Sequence, residues 1–292
     1  MRAGTPYKRA KLDDHWDTIV IGSGIGGMVP AALLAKHTGR RVLVLEQHYA
    51  AGGFTHTFER PGFEWDVGVH YVGEVGGRRQ AMRKMFDHVT DGELEWADMG
   101  EVYDRIIVED RRYDFIKGKS AWVARMREYF PGHRREIDRY VSMVSGAHLA
   151  MYPYFGERVL PPGSPSWLAR ALTSPAARYA RRTTTEVLAE LTDNLELRAV
   201  LAGQWGNTGL PPAECSFLLH AVMVAHYFEG GAYPVGGSAR IAETIERVIE
   251  GHGGRIVTSA RVEEVLVHRG TAHGVRMTDG RELTAKEVIS DA

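Results

Sequence analysis

Cysteine is nearly missing: Cys215 is the only one in 292 residues. No internal disulfide framework can form, and a reducing compartment is expected, so the chain is assigned to the cytoplasm. A lone cysteine of this kind reads as a small packed side chain. Long apolar runs are also missing. The longest, Phe217 to Phe228, is interrupted by His220 and His226, falls short of a membrane span and reads as a buried helix. The N-terminus carries no apolar segment of the secretory type. Residues 1–13, basic and polar at their start, are expected to form a flexible arm, with peripheral contact to an anionic membrane surface as the sharper alternative. Charge of one sign is lacking as well. Lys and Arg number 36 against 37 Asp and Glu, a formal net charge of −1, which gives no electrostatic case for nucleic acid. The thirteen histidines form no H-E-x-x-H pattern and there is no cysteine pair, so no metal site is expected. There are no internal repeats and no low-complexity tract.

What is present is concentrated between Trp16 and Gly53. Thr18 to Ile21 is a short β-branched run, as in a strand buried on both faces of a parallel sheet. Gly22, Ser23, Gly24, Ile25, Gly26 and Gly27 follow and contain G-x-G-x-x-G. The first glycine permits a tight turn, the second lets the backbone approach a pyrophosphate, and the third lets helix and strand pack closely. Free amides at the helix start, with the helix dipole, hold phosphate charge. Arg41 to Leu45 is a second strand, and Glu46 closes it where an acid meets a ribose hydroxyl. A glycine turn alone is weak evidence; the strand before it, the helix after it and the acid at this distance make it a dinucleotide site. Pro30 falls inside the first helix, where a missing amide and a clash one turn back predict a kink or a tightly wound start.

Farther on, Phe54 to Gly73 reads as a hairpin turning at Pro61-Gly62, whose second strand runs into Asp66-x-Gly68-x-His70. Ala81 to His88 is a short helix. Tyr103 to Glu109 and Arg112 to Ile116 pair round Asp110-Arg111. Helices follow at Ser120–Tyr129 and Arg134–His148. Met151 to Pro175 holds five of the twelve prolines among Tyr152, Tyr154, Phe155 and Trp167. It reads as a loop or flap, either an ordinary surface loop or an entrance for an apolar substrate. A long helix is expected over Glu186–Leu201, capped at Thr185 or a neighbour, then an apolar one over Ala213–Tyr227. Gly230 to Ser238 is a second glycine-rich loop, opening a helix to Glu250. Short strands form a meander at 255–258, 261–268, 274–278 and 281–283, and Glu287–Ala292 reads as one more buried strand.

Taken together, Val44-Leu45-Glu46-Gln47-His48, Ala51-Gly52-Gly53, His56-Thr57-Phe58, Asp66-x-Gly68-x-His70-Tyr71-x-Gly73, His226-Tyr227, Gly230-Gly231-x-Tyr233-Pro234-x-Gly236-Gly237-Ser238 and Val288-Ile289-Ser290-x-Ala292 resemble the flavoprotein family of retinol saturase, carotenoid isomerase and phytoene desaturase. The retinol saturase branch is the nearest, and the likeness extends from about residue 16 to the end. The resemblance implies an α/β fold: a Rossmann-like FAD-binding domain of the GR2, amine-oxidase type, with an inserted α+β, helix-rich substrate domain. The expected boundaries are 14–75 and 236–292 for the FAD domain and 76–235 for the substrate domain. By position, Gly22 to Gly27 would hold the pyrophosphate and Glu46, with Gln47 beside it, the adenosine ribose. Gly52, Gly53, Phe54 and Thr55 would lie along the ribityl chain, and Gly68, Val69 and His70 would approach the flavin ring. Val262 would meet the adenine edge, and Asp291 and Ala292 would close over the pyrophosphate. Members of the family continue past this point with a segment that completes the substrate cavity. A missing C-terminal half or a partner chain is therefore expected.

The implied activity is hydride transfer between FAD and a carbon–carbon double bond of an apolar polyene, isoprenoid or unsaturated lipid, with retinol-type reduction favoured and NAD(P)H as a candidate electron donor. His70 and Tyr71 are the candidate proton donors, with His56 a weaker one; His226 reads as a core histidine. Two rival readings stand beside this: a redox-neutral cis–trans isomerase using the same flavin, and an inactive flavin- or lipid-binding subunit.

Overall fold

The computed structural model describes residues 3–292 and divides the chain into two compact units. The first runs up to Ala97 and resumes over Ala232–Ala292; the second is Asp98–Gly231.

The first unit contains β1 (Thr5–Pro6), β2 (His15–Ile21), α1 (Ile25–Thr38), β3 (Val42–Leu45), β4 (Thr57–Arg60), β5 (Phe63–Asp66), α2 (Ala81–Val89), β6 (Trp96–Asp98, running up to the boundary), β9 (Ala232–Pro234), α9 (Ala239–Gly251), β10 (Arg255–Thr258), β11 (Val262–His268), β12 (Thr271–Met277) and β13 (Glu282–Ser290). One seven-stranded sheet has the order β1-β10-β3-β2-β13-β12-β11. It is parallel from β1 to β13 and antiparallel from β13 through β12 to β11. Alternate residues of the central strands face opposite sides, which explains why they are apolar throughout. Val20, Val42, Val44 and Ile256 pack with Met28, Ala31, Ala32 and Ala35 of α1 and Ile241, Ile245 and Ile249 of α9. Ile19, Leu43, Leu45 and Val257 pack on the other face with Trp16, Val275, Met277 and Leu283. Alanines on α1 bring that helix close to the strands that carry the glycine turn. It runs unbroken through Pro30.

In the first unit three expectations are corrected. Residues 3–13 are not a flexible arm; Met1 and Arg2 lie outside the described residues. Thr5 and Pro6 pair in parallel with Val257 and Thr258, and Gly4 N donates to Glu246 Oε1 at 2.6 Å. An edge position tolerates the missing donor of Pro6. The first unit also extends past residue 76, because Phe86, Val89 and Leu94 bury themselves in its core. Lastly, 282–283 and 287–290 belong to one strand. β13 pairs with β12 at its start and with β2 along its length, and much of it is exposed or half-buried rather than a buried run.

The second unit comprises the hairpin β7 (Val102–Val108) and β8 (Arg111–Ile116), then α3 (Lys119–Tyr129), α4 (Arg134–Glu157), α5 (Ser166–Ala180), α6 (Thr184–Leu191), α7 (Leu195–Leu201) and α8 (Phe217–Tyr227). Its core is aromatic: Tyr113, Phe115, Trp122 and Tyr140 are fully buried. The proline-rich span 151–175 is mostly helical, not a flap. Pro153 lies inside α4 and Pro175 inside α5, while Pro161, Pro162 and Pro165 occupy the connection. Packing of α4 against α5 and α8 outweighs the lost helical bonds. The expected helix over 186–201 is two, broken at Thr192–Asn194. Thr183 and Glu186 form a capping box on α6, and Asn194 caps α7. The next helix begins at Phe217, capped by Ser216, not at Ala213.

Candidate dinucleotide site

Strand β2 ends at Ile21, and the chain turns through Gly22 at φ +95°, a conformation that glycine adopts without strain. Gly22 N donates to Leu45 O at 2.9 Å, tying the turn to the end of β3. Gly24 caps α1. A side chain on Gly27 would place its Cβ 2.4 Å from Gly22 O, so the third glycine lets the helix close on the turn. Gly52 and Gly53 both take positive φ, and a Cβ on Gly53 would lie 2.8 Å from Gly24 Cα. The two glycine segments thus form facing walls.

Ser23 and Glu46 join these walls. Ser23 N and Oγ donate to Glu46 Oε2 at 3.0 and 2.5 Å, and Gly52 N donates to Ser23 Oγ at 3.0 Å. His48 N donates to Glu46 Oε1 at 2.7 Å. The Glu46 carboxylate is buried, accepts from three protein donors and lines the cavity described below. The Asp291 carboxylate lies against the glycine turn at the start of α1. Its Oδ2 is 2.6 Å from where a Cβ of Gly24 would sit, and Asp291 N donates to Ile21 O at 2.8 Å. An anionic group thus already occupies the positive end of α1.

A cavity of about 580 Å³ runs along this construction, lined by Ile21–Gly26, Leu45, Glu46, Gln47, Gly52–Thr55, Ala260, Val262, Asp291 and Ala292. That is the size and concavity of a cofactor site. Gly22, Ser23, Gly24, Ile25, Gly26, Glu46, Gln47, Gly52, Gly53, Phe54, Thr55, Val262, Asp291 and Ala292 are brought together as wall residues. Gly27 sits behind the wall. Gly68, Val69 and His70 do not line it: Gly68 N donates to Phe54 O at 3.1 Å, which keeps that segment on the far side of Phe54. His70 is exposed and Tyr71 half-buried, with ring centroids 4.3 Å apart, and neither lines the cavity. His56 borders a smaller adjoining recess of about 250 Å³ with His48, Phe54 and Val67. His226, in the second unit, is held down to about 4 by burial and by His148, so it stays neutral at neutral pH.

Sequence reasoning did not assign to the site Ile21 and Leu45, which end β2 and β3, or Ala260, in the connection from β10 to β11. It also missed the role of Asp66. Ser238 Oγ donates to Asp66 Oδ1 at 2.6 Å and Tyr233 Oη donates to Oδ2, so one carboxylate joins the hairpin to the second glycine loop. Burial, then the bond to Asp66, pushes the Tyr233 phenol up to about 12.

A parallel sheet, a glycine turn at a helix start and an acid closing the next strand define a Rossmann-type dinucleotide-binding protein. Residues 20–89 match the family described as NAD(P)-binding Rossmann-like domain. The fold is also that of a solved putrescine oxidase (TM-score 0.63, 18% identity, 94% of this chain and 57% of that one). An oxidoreductase from Methanosarcina mazei is similar as well (TM-score 0.61, 20% identity, 94% and 58%). In sequence the chain is 38% identical to all-trans-retinol 13,14-reductase of Danio rerio (98% of this chain, 49% of the relative). It is 39% identical to that of Homo sapiens (95% and 47%). Prolycopene isomerase 1 of an Oncidium hybrid cultivar is 28% identical (99% and 50%). In sequence the chain is thus similar to proteins of the retinol saturase type, and it spans about half the length of the curated relatives it matches.

Proposed function

We propose that this chain carries the FAD site of an oxidoreductase that reduces a carbon–carbon double bond of an apolar polyene of the retinol type. The observation that carries the reading is the cavity between the two glycine walls. An extended dinucleotide needs a narrow backbone-lined passage with an acid at one end, and side chains at Gly24, Gly27 or Gly53 would close or distort it. Gly24, Ile25 and Gly26 would hold the pyrophosphate, Glu46 the ribose, and Gly52 to Thr55 the segment leading away. FAD, when bound, supplies hydride chemistry. The chain's own residues bind and orient it, and His70 or Tyr71 delivers the proton that completes saturation. NAD(P)H is the proposed source of electrons.

The test is anaerobic. The chain is loaded with FAD, reduced, and mixed with all-trans-retinol and a panel of carotenoids and unsaturated lipids. Reoxidation with a product heavier by two hydrogens supports the reading. Reduced flavin left untouched by every polyene contradicts it.

The similarity to a prolycopene isomerase over nearly the whole chain favours one second reading, a redox-neutral cis–trans isomerase. In that case the polyene changes geometry and keeps its mass.

A further inference from the structure

We propose that the tip of the α4–α5 hairpin in the second unit docks on the surface of an anionic phospholipid bilayer. The residues that carry this lie far along the chain from the glycine turn, and the proposal does not depend on the redox reading.

Two features meet on this hairpin. The first is apolar. α4 buries Ile137, Tyr140, Val144 and Ala147, as an amphipathic helix should. Toward its C-terminus a second stripe points outward: Leu149, Tyr152, Phe155 and then Val159, three and four residues apart. With Trp167 at the start of α5, these side chains are 59% to 82% exposed. Large apolar side chains grouped at the end of a helical hairpin mark an interaction surface, not ordinary exposed residues.

The second feature is charge. The chain as a whole has a net charge of −1, yet from Arg158 to Thr185 it has five arginines and neither aspartate nor glutamate. Trp167, Arg170, Arg178 and Arg181 fall three, eleven and fourteen residues from the first, on one face of α5. Among the described residues no carboxylate pairs with Arg170, Arg178 or Arg181, whereas Arg182 is held by Glu190 at 2.5 Å. A groove of about 500 Å³ lies between Arg170, Arg178, Arg181 and Arg182, with Thr173 and Ser174 in its wall. α5 returns alongside α4: a side chain on Gly146 would meet Tyr179 Oη at 2.8 Å. Phe155, Val159 and Trp167 therefore lie nearest the tip, Arg170 beside them, and Arg178 and Arg181 farther back along α5. That order fits a bilayer, with apolar groups entering the acyl boundary and guanidiniums at the depth of the lipid phosphates. A soluble apolar partner would account for the stripe but not for the unpaired arginines.

The test uses the whole 292-residue chain, floated with vesicles of phosphatidylcholine alone and of phosphatidylcholine with phosphatidylserine. Two variants accompany it, R170Q/R178Q/R181Q and F155S/V159S/W167S, each checked for an unchanged circular dichroism spectrum and melting temperature. Binding to the phosphatidylserine vesicles is expected, weak or absent on phosphatidylcholine alone. It should fall on the order of fivefold per arginine removed, diminish with salt, and be lost in the apolar variant. No flotation with phosphatidylserine vesicles would overturn the proposal. So would flotation that both variants retain, or a wild-type dimer that the apolar variant converts to monomer, which would assign the face to a second copy of the chain.

Discussion

Ser23 gives both its amide and its hydroxyl to one carboxylate oxygen of Glu46, at 3.0 and 2.5 Å, and the same hydroxyl accepts from Gly52 N at 3.0 Å. The acid that closes the second strand thereby also holds the two glycine segments in place. Ser23→Ala removes the bridge from a buried site and should cost about 1–3 kcal/mol. Glu46→Gln turns one oxygen into a donor facing other donors and should cost at least as much. Urea unfolding at neutral pH reads both, and either variant as stable as the wild type would contradict this account of Glu46.

Glycine substitutions should separate by position. In Gly27→Ala the new Cβ meets a backbone oxygen at 2.4 Å, and in Gly53→Ala it meets Gly24 Cα at 2.8 Å; neither neighbour is a flexible side-chain end. Overpacking of this kind costs about 1–3 kcal/mol. Gly132→Ala, with open space around it, should stay within about 0.5 kcal/mol of the wild type. Melting temperatures of the three variants check the order, and dinucleotide binding should weaken in the first two only.

Asp291 puts a carboxylate where a phosphate would sit at the start of α1. Like charges there oppose each other, so Asp291→Asn should tighten FAD binding about two- to fivefold at low salt, with a smaller gain at high salt. Titration of flavin fluorescence measures it. Weaker binding in the variant would mean that the carboxylate contributes to the cradle instead.

Glu246 receives the amide of Gly4, and burial first, then Glu250 and Glu243, pushes its carboxyl up from 4.5 to about 7. A raised carboxyl disfavours the charged folded state. Between about 4.5 and 7 the unfolded chain releases a proton that the folded chain keeps, so this contribution is full below 4.5 and lost as pH rises toward 7. Because Glu246 is partly open to solvent, the loss should be on the order of 1–2 kcal/mol. Glu246→Gln keeps an acceptor for Gly4 and should flatten the profile, leaving the variant more stable than the wild type at pH 8. Chemical unfolding across that range checks it.

The glycine turn, Glu46 and Gly52–Gly53 are legible in sequence because each is a local solution to a local problem: a tight turn, a close approach, an acid at a strand end. Val262 and Asp291 came only through resemblance. Leu45 carries no local mark of its wall position, which follows from sheet register, and neither does Ala260, which its amide bond to Glu46 O holds there. The link from Asp66 to Tyr233 and Ser238 joins residues more than 160 positions apart and leaves no local trace. Propensity misled at Pro153 and Pro175, where helix packing overrides a broken backbone bond. It misled again at Thr5–Pro6, a two-residue strand that exists only because β10 offers an edge.

The central claim is that the cavity between the glycine walls is an FAD site. The most direct measurement is the visible absorption spectrum of the purified chain, with identification of any flavin released on denaturation. FAD at about one per chain, as purified or after reconstitution, is the predicted result. A chain that takes up no FAD under reconstitution, while remaining folded by circular dichroism, would contradict it.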